Sequence, residues 1–168
     1  MTTGMTRGEL FSRLESMGII TTTVDHPAVH TVAESSGLAD ALPGAHTKNL
    51  FLKGDDGALV LVVAKSETKV DLKQLAKRLG AGRFSFGKPE LLMSHLGVAP
   101  GSVTAFAIAN DASGRVQLIL DQELMRADTI NCHPLENTAT TNIARDDLLR
   151  FIRTSGREPM IMTLTAAV

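Results

Sequence analysis

Leu50-Phe51-Leu52-Lys53-Gly54-Asp55-Asp56-Gly57-Ala58-Leu59-Val60-Leu61-Val62-Val63-Ala64 is the stretch that decides the fold class. Two apolar runs, Leu50 to Lys53 and Ala58 to Ala64, flank a Gly-Asp-Asp-Gly segment, a turn composition that predicts a β-hairpin. Helices are expected on both sides of it. Upstream, Thr6-Arg7-Gly8-Glu9 has the form of a capping box, opening a helix whose apolar stripe is Leu10, Phe11, Leu14 and Met17 and which Gly18 stops. A strand from Ile19 to Val24 follows. Downstream, Asp71 is placed to cap a helix through Leu79 that ends at Gly80, and Pro89 to start another that ends at Gly97. A second hairpin is read in Val103 to Ala109 and Val116 to Leu120, about Asp111-Ala112-Ser113-Gly114. Arg145 to Ser155, with Leu148, Leu149, Phe151 and Ile152 apolar, predicts a late helix closed by Gly156, before a last strand from Pro159 to Leu164. Hairpins mixed with helices argue for an α+β fold rather than a doubly wound parallel sheet.

Composition bounds the function. At 168 residues and 43% hydrophobic, the chain suits one domain, residues 1–168, with a real core. Trp and Tyr are absent and Phe numbers six, so aliphatic side chains and seven Met fill that core. The same shortage excludes an aromatic ladder for single-stranded nucleic acid. Cys132, the single cysteine, has no partner for an intramolecular disulfide, which fits a reducing cytoplasm. The N-terminus lacks the apolar stretch of a signal peptide, and Ala58 to Ala64 is too short to span a bilayer, so no membrane role is expected. A net charge of −1 excludes a generic nucleic-acid binder, and no recognition helix for DNA stands out. The charge is unevenly spread, however. Lys65 to Lys88 holds seven basic residues against Glu67 and Asp71, a local +5 that leaves −6 elsewhere. Lys73 and Lys77 share a helix face at i, i+4, a pattern that serves a solvated amphipathic helix and an RNA contact equally well.

Three segments carry the candidate chemistry. In His46-Thr47-Lys48-Asn49-Leu50-Phe51-Leu52, Lys48 precedes the apolar strand, so its ammonium is expected at a strand end, with Leu50 and Leu52 on one face and Asn49 and Phe51 on the other. An ammonium there can hold a phosphate or polarise an ester carbonyl. Taken alone it reads as a solvated lysine, the commoner case. In Gly97-Val98-Ala99-Pro100-Gly101-Ser102-Val103-Thr104, glycines and a proline leave few side chains, so backbone N–H groups, Ser102 and Gly101 included, can approach a ligand. Gly97 is accounted for as a helix cap; Gly101 is not. In Asn131-Cys132-His133-Pro134-Leu135-Glu136-Asn137, His133 is biased to extended backbone by Pro134, and its ring can orient water or lock two loops together. Asn131 and Asn137 are placed to support that loop. A Cys132–His133 dyad is excluded, since neighbours on an extended chain point to opposite faces. His26, His30, His46 and His133 match no metal-ligand spacing, so neither metal nor cofactor is expected. Phe84 and Phe86 are at strand spacing and could border a pocket, with at least one of them packed in the core.

Together, in this order, the three segments resemble the YbaK-like aminoacyl-tRNA editing family, most closely its free-standing Ala-tRNA(Pro) deacylases, from about Thr6 to Leu164. The resemblance implies a curved, mixed, barrel-like sheet wrapped by helices. It implies an aminoacyl-tRNA deacylase that hydrolyses the ester of mischarged Ala-tRNA(Pro). The alternatives are Cys-tRNA(Pro) or another small-amino-acid ester, or a catalytically silent tRNA- or synthetase-binding module. Lys48 falls on the family's principal functional lysine and Gly101 on the glycine of its Gly-Ser-Val-Thr-Pro loop, where this chain has Ala105 in place of the proline. Lys48, Gly101 and His133 are then the catalytic candidates, with Asn49, Ser102, Phe86, Pro134 and Asn131 lining the substrate. In the family a substrate ribose hydroxyl assists the water. The expected partners are the acceptor end of tRNA-Pro, laid along Lys73 and Lys77, and prolyl-tRNA synthetase.

Overall fold

The computed structural model describes residues 4–27 and 42–165, so His30 lies outside the described residues. Helix α1 spans Arg7–Ser16, and its capping box is complete: Thr6 Oγ1 accepts from the Glu9 amide while the Glu9 carboxylate accepts from the Thr6 amide. Leu10 and Leu14 are its buried residues. Strands β1 (Thr21–Asp25), β2 (Ala45–Gly54) and β3 (Leu59–Lys65) follow. Helix α2 (Leu72–Leu79) is capped as expected, with Asp71 Oδ1 accepting from the Gln74 amide and Gly80 left-handed at its end. Strand β4 is Phe84–Phe86, and α3 is Pro89–Leu96, closed by left-handed Gly97. Then come β5 (Val116–Asp121), β6 (Thr129–Cys132), β7 (Ala139–Ala144), α4 (Arg145–Thr154) and β8 (Met160–Met162).

The strands form one mixed, eight-stranded sheet in the order β1-β7-β6-β2-β3-β5-β8, with β4 joined to β2. The hairpin of β2 and β3 is antiparallel, with Leu50 opposite Val62 and Leu52 opposite Val60. Alternation along it divides two apolar clusters. Phe51, Leu59, Leu61 and Val63 face the larger one, packed under α1, α3 and α4, whereas Leu50, Leu52, Val60, Val62 and Ala64 face a smaller one closed by Leu75 and Leu79 of α2. The sheet is therefore covered on both sides, and among the described residues α2 alone supplies the helical cover of the smaller cluster.

The second hairpin is not formed. Ala105–Asn110 is a 3₁₀ helix, capped by Thr104, and β5 runs parallel to both β3 and β8. Ala105, Phe106, Ala107 and Ile108 are buried on every side, and a continuous apolar run of that length does not distinguish a strand from a buried helical turn. The first strand begins at Thr21 and the last is confined to Met160–Met162, shorter than the expected Pro159 to Leu164. Strands β6 and β7 have no counterpart among the expected elements, being short and rich in Thr and Asn. Among the described residues no helix is long and apolar enough to cross a membrane.

Candidate functional site

The β2 strand carries a break in its pairing on one edge. Its start runs parallel to β6 through Ala45–Ile130 and His46–Asn131, and its end pairs with β4 through Leu52–Phe86 and Gly54–Phe84. Between those two neighbours, Thr47 to Leu50 pairs with no strand on that side among the described residues, while β3 holds the other edge without interruption from Thr47 to Lys53. A single strand is thus shared by two neighbours, with the half-buried residues Thr47 to Leu50 between them.

Lys48 lies in that stretch. It is not at a strand end, as expected, but inside β2, because pairing with β6 extends the strand back to Ala45. Opposite it stands Ala64, whose small side chain belongs to the cluster under α2, so Lys48 shares its face with Leu50 and Leu52. Lys48 has no ion pair or side-chain hydrogen bond among the described residues. Asn49 faces the other way, opposite Val63. Its Oδ1 and the Nε2 of His46 are buried atoms without a hydrogen-bond partner among the described residues. Orphaned polar atoms are uncommon in folded proteins, and two of them on the strand that carries Lys48 mark it as a place that receives hydrogen-bonding groups.

Asn131 is paired with His46, and His133 stands one residue past the end of β6 at Cys132. The Ala139 carbonyl, 3.0 Å from His133 Nδ1, can only accept, so Nδ1 carries a proton and Nε2 of the neutral ring is left as an acceptor. Burial pushes the His133 pKa down, the Ala139 bond opposes this, and the nearby His26 ring pushes it down further. His26 itself donates from Nδ1 to the Pro27 carbonyl and meets Thr140 Oγ1 at 2.8 Å through Nε2, with its ring 6.5 Å from that of His133. Sequence reasoning weighs His26 only as a metal ligand and sets it aside, so its place beside His133 is missed. The repeated His-Pro dipeptide, at His26-Pro27 and His133-Pro134, is the signal that could have joined the two.

The Gly101 loop closes the far side of the His133 segment. Gly101 has φ +89°, and a Cβ built there would lie 3.5 Å from Asn137 Nδ2, so the two loops touch. The Ser102 amide is occupied by the Ala99 carbonyl at 3.0 Å, which removes it from the set of free donors. Pro134 is buried beside Leu135, which holds φ +70°, a conformation that costs a branched side chain energy and occurs at functional loops. Asn131 is fully engaged by the scaffold: its amide donates to the carbonyls of Pro43 at 2.9 Å and Ala45 at 3.2 Å, and Asn142 donates to its Oδ1 at 3.0 Å. These bonds fix the chain entering β2. Cys132 is buried, with its thiol pushed up to about 12 by desolvation against a smaller opposing bond from Thr47, so it is no nucleophile. Among the described residues no group of His, Cys, Asp and Glu could hold a metal ion. Lys73 and Lys77 are exposed on α2, Phe84 packs against the smaller cluster, and Phe86 is exposed.

Comparison with known proteins agrees with this architecture. Residues 26–151 match the model of the aminoacyl-tRNA editing domain. The chain is 37% identical over 159 residues to prolyl-tRNA synthetase associated domain-containing protein 1 of Danio rerio, covering 94% of this chain and 86% of that one. It is 29% identical over 148 residues to the prolyl-tRNA editing protein ProX of Acetoanaerobium sticklandii, covering 88% and 90%. A crystal structure reported as a candidate trans-editing enzyme for prolyl tRNA synthetase superposes with a TM-score of 0.72 at 20% identity, over 96% of this chain and 97% of that one, a likeness of fold.

Proposed function

The chain belongs to the aminoacyl-tRNA editing domain family, and on that premise we propose that it is a trans-editing hydrolase that cleaves the ester of mischarged Ala-tRNA(Pro). The observation that carries the reading is Lys48: an ammonium with no partner among the described residues, held inside β2 where, among those residues, one edge of the strand has no paired neighbour. The reaction joins water to an ester carbonyl carbon and expels the ribose oxygen, which leaves with a proton. Lys48 stabilises the negative charge that develops on the carbonyl oxygen, or anchors the adjoining phosphate, and the Gly101 N–H is a second donor to that oxygen. His133, neutral and with Nε2 free to accept, positions the attacking water, while a ribose hydroxyl of the substrate assists it. Ser102 and Pro134 bound the amino-acid pocket, and Asn131 holds the strand that bears Lys48. Prolyl-tRNA synthetase is the expected upstream partner: alanine is smaller than proline, so a pocket sized for proline cannot reject it by sterics, and a second, smaller site must.

One assay tests this. The protein is incubated with Ala-, Cys- and Pro-tRNA(Pro), and hydrolysis of the first with sparing of the last is expected. Cysteine should be rejected more weakly, because one small group in an apolar pocket is worth only about 1–3 kcal/mol. Lys48→Ala should lower the rate on Ala-tRNA(Pro) by roughly 10²-fold, the scale of a lost electrostatic donor, while the melting temperature stays nearly constant. Full activity in that variant would remove the mechanism, and comparable rates on alanine and proline would remove the size-exclusion account.

A further inference from the structure

The six phenylalanines divide sharply. Phe51, Phe106 and Phe151 are buried, Phe11 and Phe84 pack against the two clusters, and Phe86 alone is exposed, at 65% of its surface. Its position is nevertheless rigid. Phe86 pairs with Leu52, Ser85 Oγ meets the Lys53 carbonyl, and the next amide, Gly87, donates to the Phe51 carbonyl at 2.9 Å. Gly87 sits so close to the Phe51 ring that a Cβ there would come within 2.3 Å of it, so β4 is clamped onto β2. Because Phe84 and Leu52 both face the cluster under α2, Phe86 projects from that face too, which is the face of Lys48. Leu52, the partner of Phe86, lies four steps along β2 from Lys48, about 13 Å of strand.

The segment that carries this ring is rich in cations, with the Asp55 carboxylate beside Gly82. Arg7, Arg126, Arg145, Arg150, Arg153 and Arg157 each make an ion pair. Among the described residues none of the seven cations from Lys65 to Lys88 does. Two of these cations, Lys73 and Arg83, line a groove between α2 and β4 together with Leu72, Ala76, Gly82 and Phe84. Two cations without an ion pair among the described residues, in a groove lined by Phe84 and one strand alternation from the exposed Phe86 ring, match the chemistry of a single-stranded nucleic acid, whose phosphates need counter-charge and whose bases need a stacking surface.

We propose that Phe86 and the groove between α2 and β4 seat the unpaired 3′ end of an RNA, with a base stacked on the Phe86 ring and the preceding phosphates held by Lys73 and Arg83. One ring is not a ladder, so the site takes a terminal nucleotide rather than a long strand. The proposal rests on the editing reading in one respect, that it places this end so that the ester reaches Lys48. The seat itself is a matter of binding and is measured without turnover.

The chain has no Trp, so Phe86→Trp introduces a single indole reporter at the proposed contact. A short single-stranded RNA ending in CCA should quench its fluorescence. In anisotropy titrations with the same labelled RNA, Phe86→Leu should weaken binding by on the order of tenfold, and Phe86→Trp should bind at least as tightly as the parent, as base stacking requires. Arg83→Glu should weaken binding and lower its salt dependence. No quenching, together with unchanged affinity in Phe86→Leu, would overturn the proposal. Should the seat fail while Ala-tRNA(Pro) is still hydrolysed, the editing reading stands without it; should RNA bind through Phe86 while no ester is cleaved, the seat stands and the editing reading falls.

Discussion

His133 shows how much of this site depends on the environment of single side chains. Burial is the main reason that its pKa lies below the ordinary 6.5, and the neighbouring His26 adds to the effect against the bond to Ala139. In the unfolded chain the ring regains its ordinary value and binds a proton more readily, so the folded state is favoured above about 6.5 and loses that contribution as pH falls through the lower folded value. Thermal melts taken from neutral to mildly acid pH should show falling stability, with a shallower fall in His133→Asn. Equal slopes in the two proteins would assign the titration to other groups. The rate of ester hydrolysis should fall over the same window, since protonation removes the acceptor at Nε2. The residue type is legible in the sequence, and so is its proline. What is not legible is the Ala139 carbonyl, which selects the tautomer from six residues downstream across a loop.

At the scale of elements, sequence and structure agree where a signal is local. Thr6, Asp71, Pro89, Gly80 and Gly97 each mark a helix boundary by chemistry that acts within one turn, and the first hairpin follows from its turn residues. They part where the partner decides. Ala105 to Asn110 has strand-like apolarity yet coils, because every side of it is packed, and β6 and β7 are strands only because β2 and β1 lie beside them. The same pairing moves Lys48 from a strand end into a strand interior. That displacement matters for function, since an ammonium on a paired backbone is held more firmly than one on a fraying end. The close approach of β4 to β2 leads to a further prediction. Gly87→Ala would drive a methyl into the buried Phe51 ring and should cost about 1–3 kcal/mol, the range for overpacking. Denaturant unfolding measures it, and because β4 carries Phe86, deacylation of Ala-tRNA(Pro) should weaken through KM. An unaltered midpoint would mean that β4 can slide away from β2 without penalty.

Across the whole molecule, charge is sorted rather than balanced. A local +5 between Lys65 and Lys88 is set against −6 in the remainder, and Lys73, Lys77 and Arg78 of that segment lie on α2, which covers the face of Lys48. Such a field draws a polyanion toward one face while the rest of the surface repels it, so orientation is chosen before any specific contact forms. The partition is visible in the sequence, but its position relative to Lys48 requires the register of β2 on β3. If the field acts on tRNA, replacing Lys73 and Lys77 together by Glu should weaken binding and reduce the slope of log affinity against log salt by about 2, near one for each phosphate that is no longer neutralised. The rate at saturating substrate should hold steady, because backbone contacts position the substrate and take no part in the chemistry. Filter binding over a salt series, paired with single-turnover deacylation, separates the two effects. An unchanged slope would return Lys73 and Lys77 to an ordinary solvated helix face, and a fall in the saturated rate would place α2 nearer to the ester than the present geometry allows.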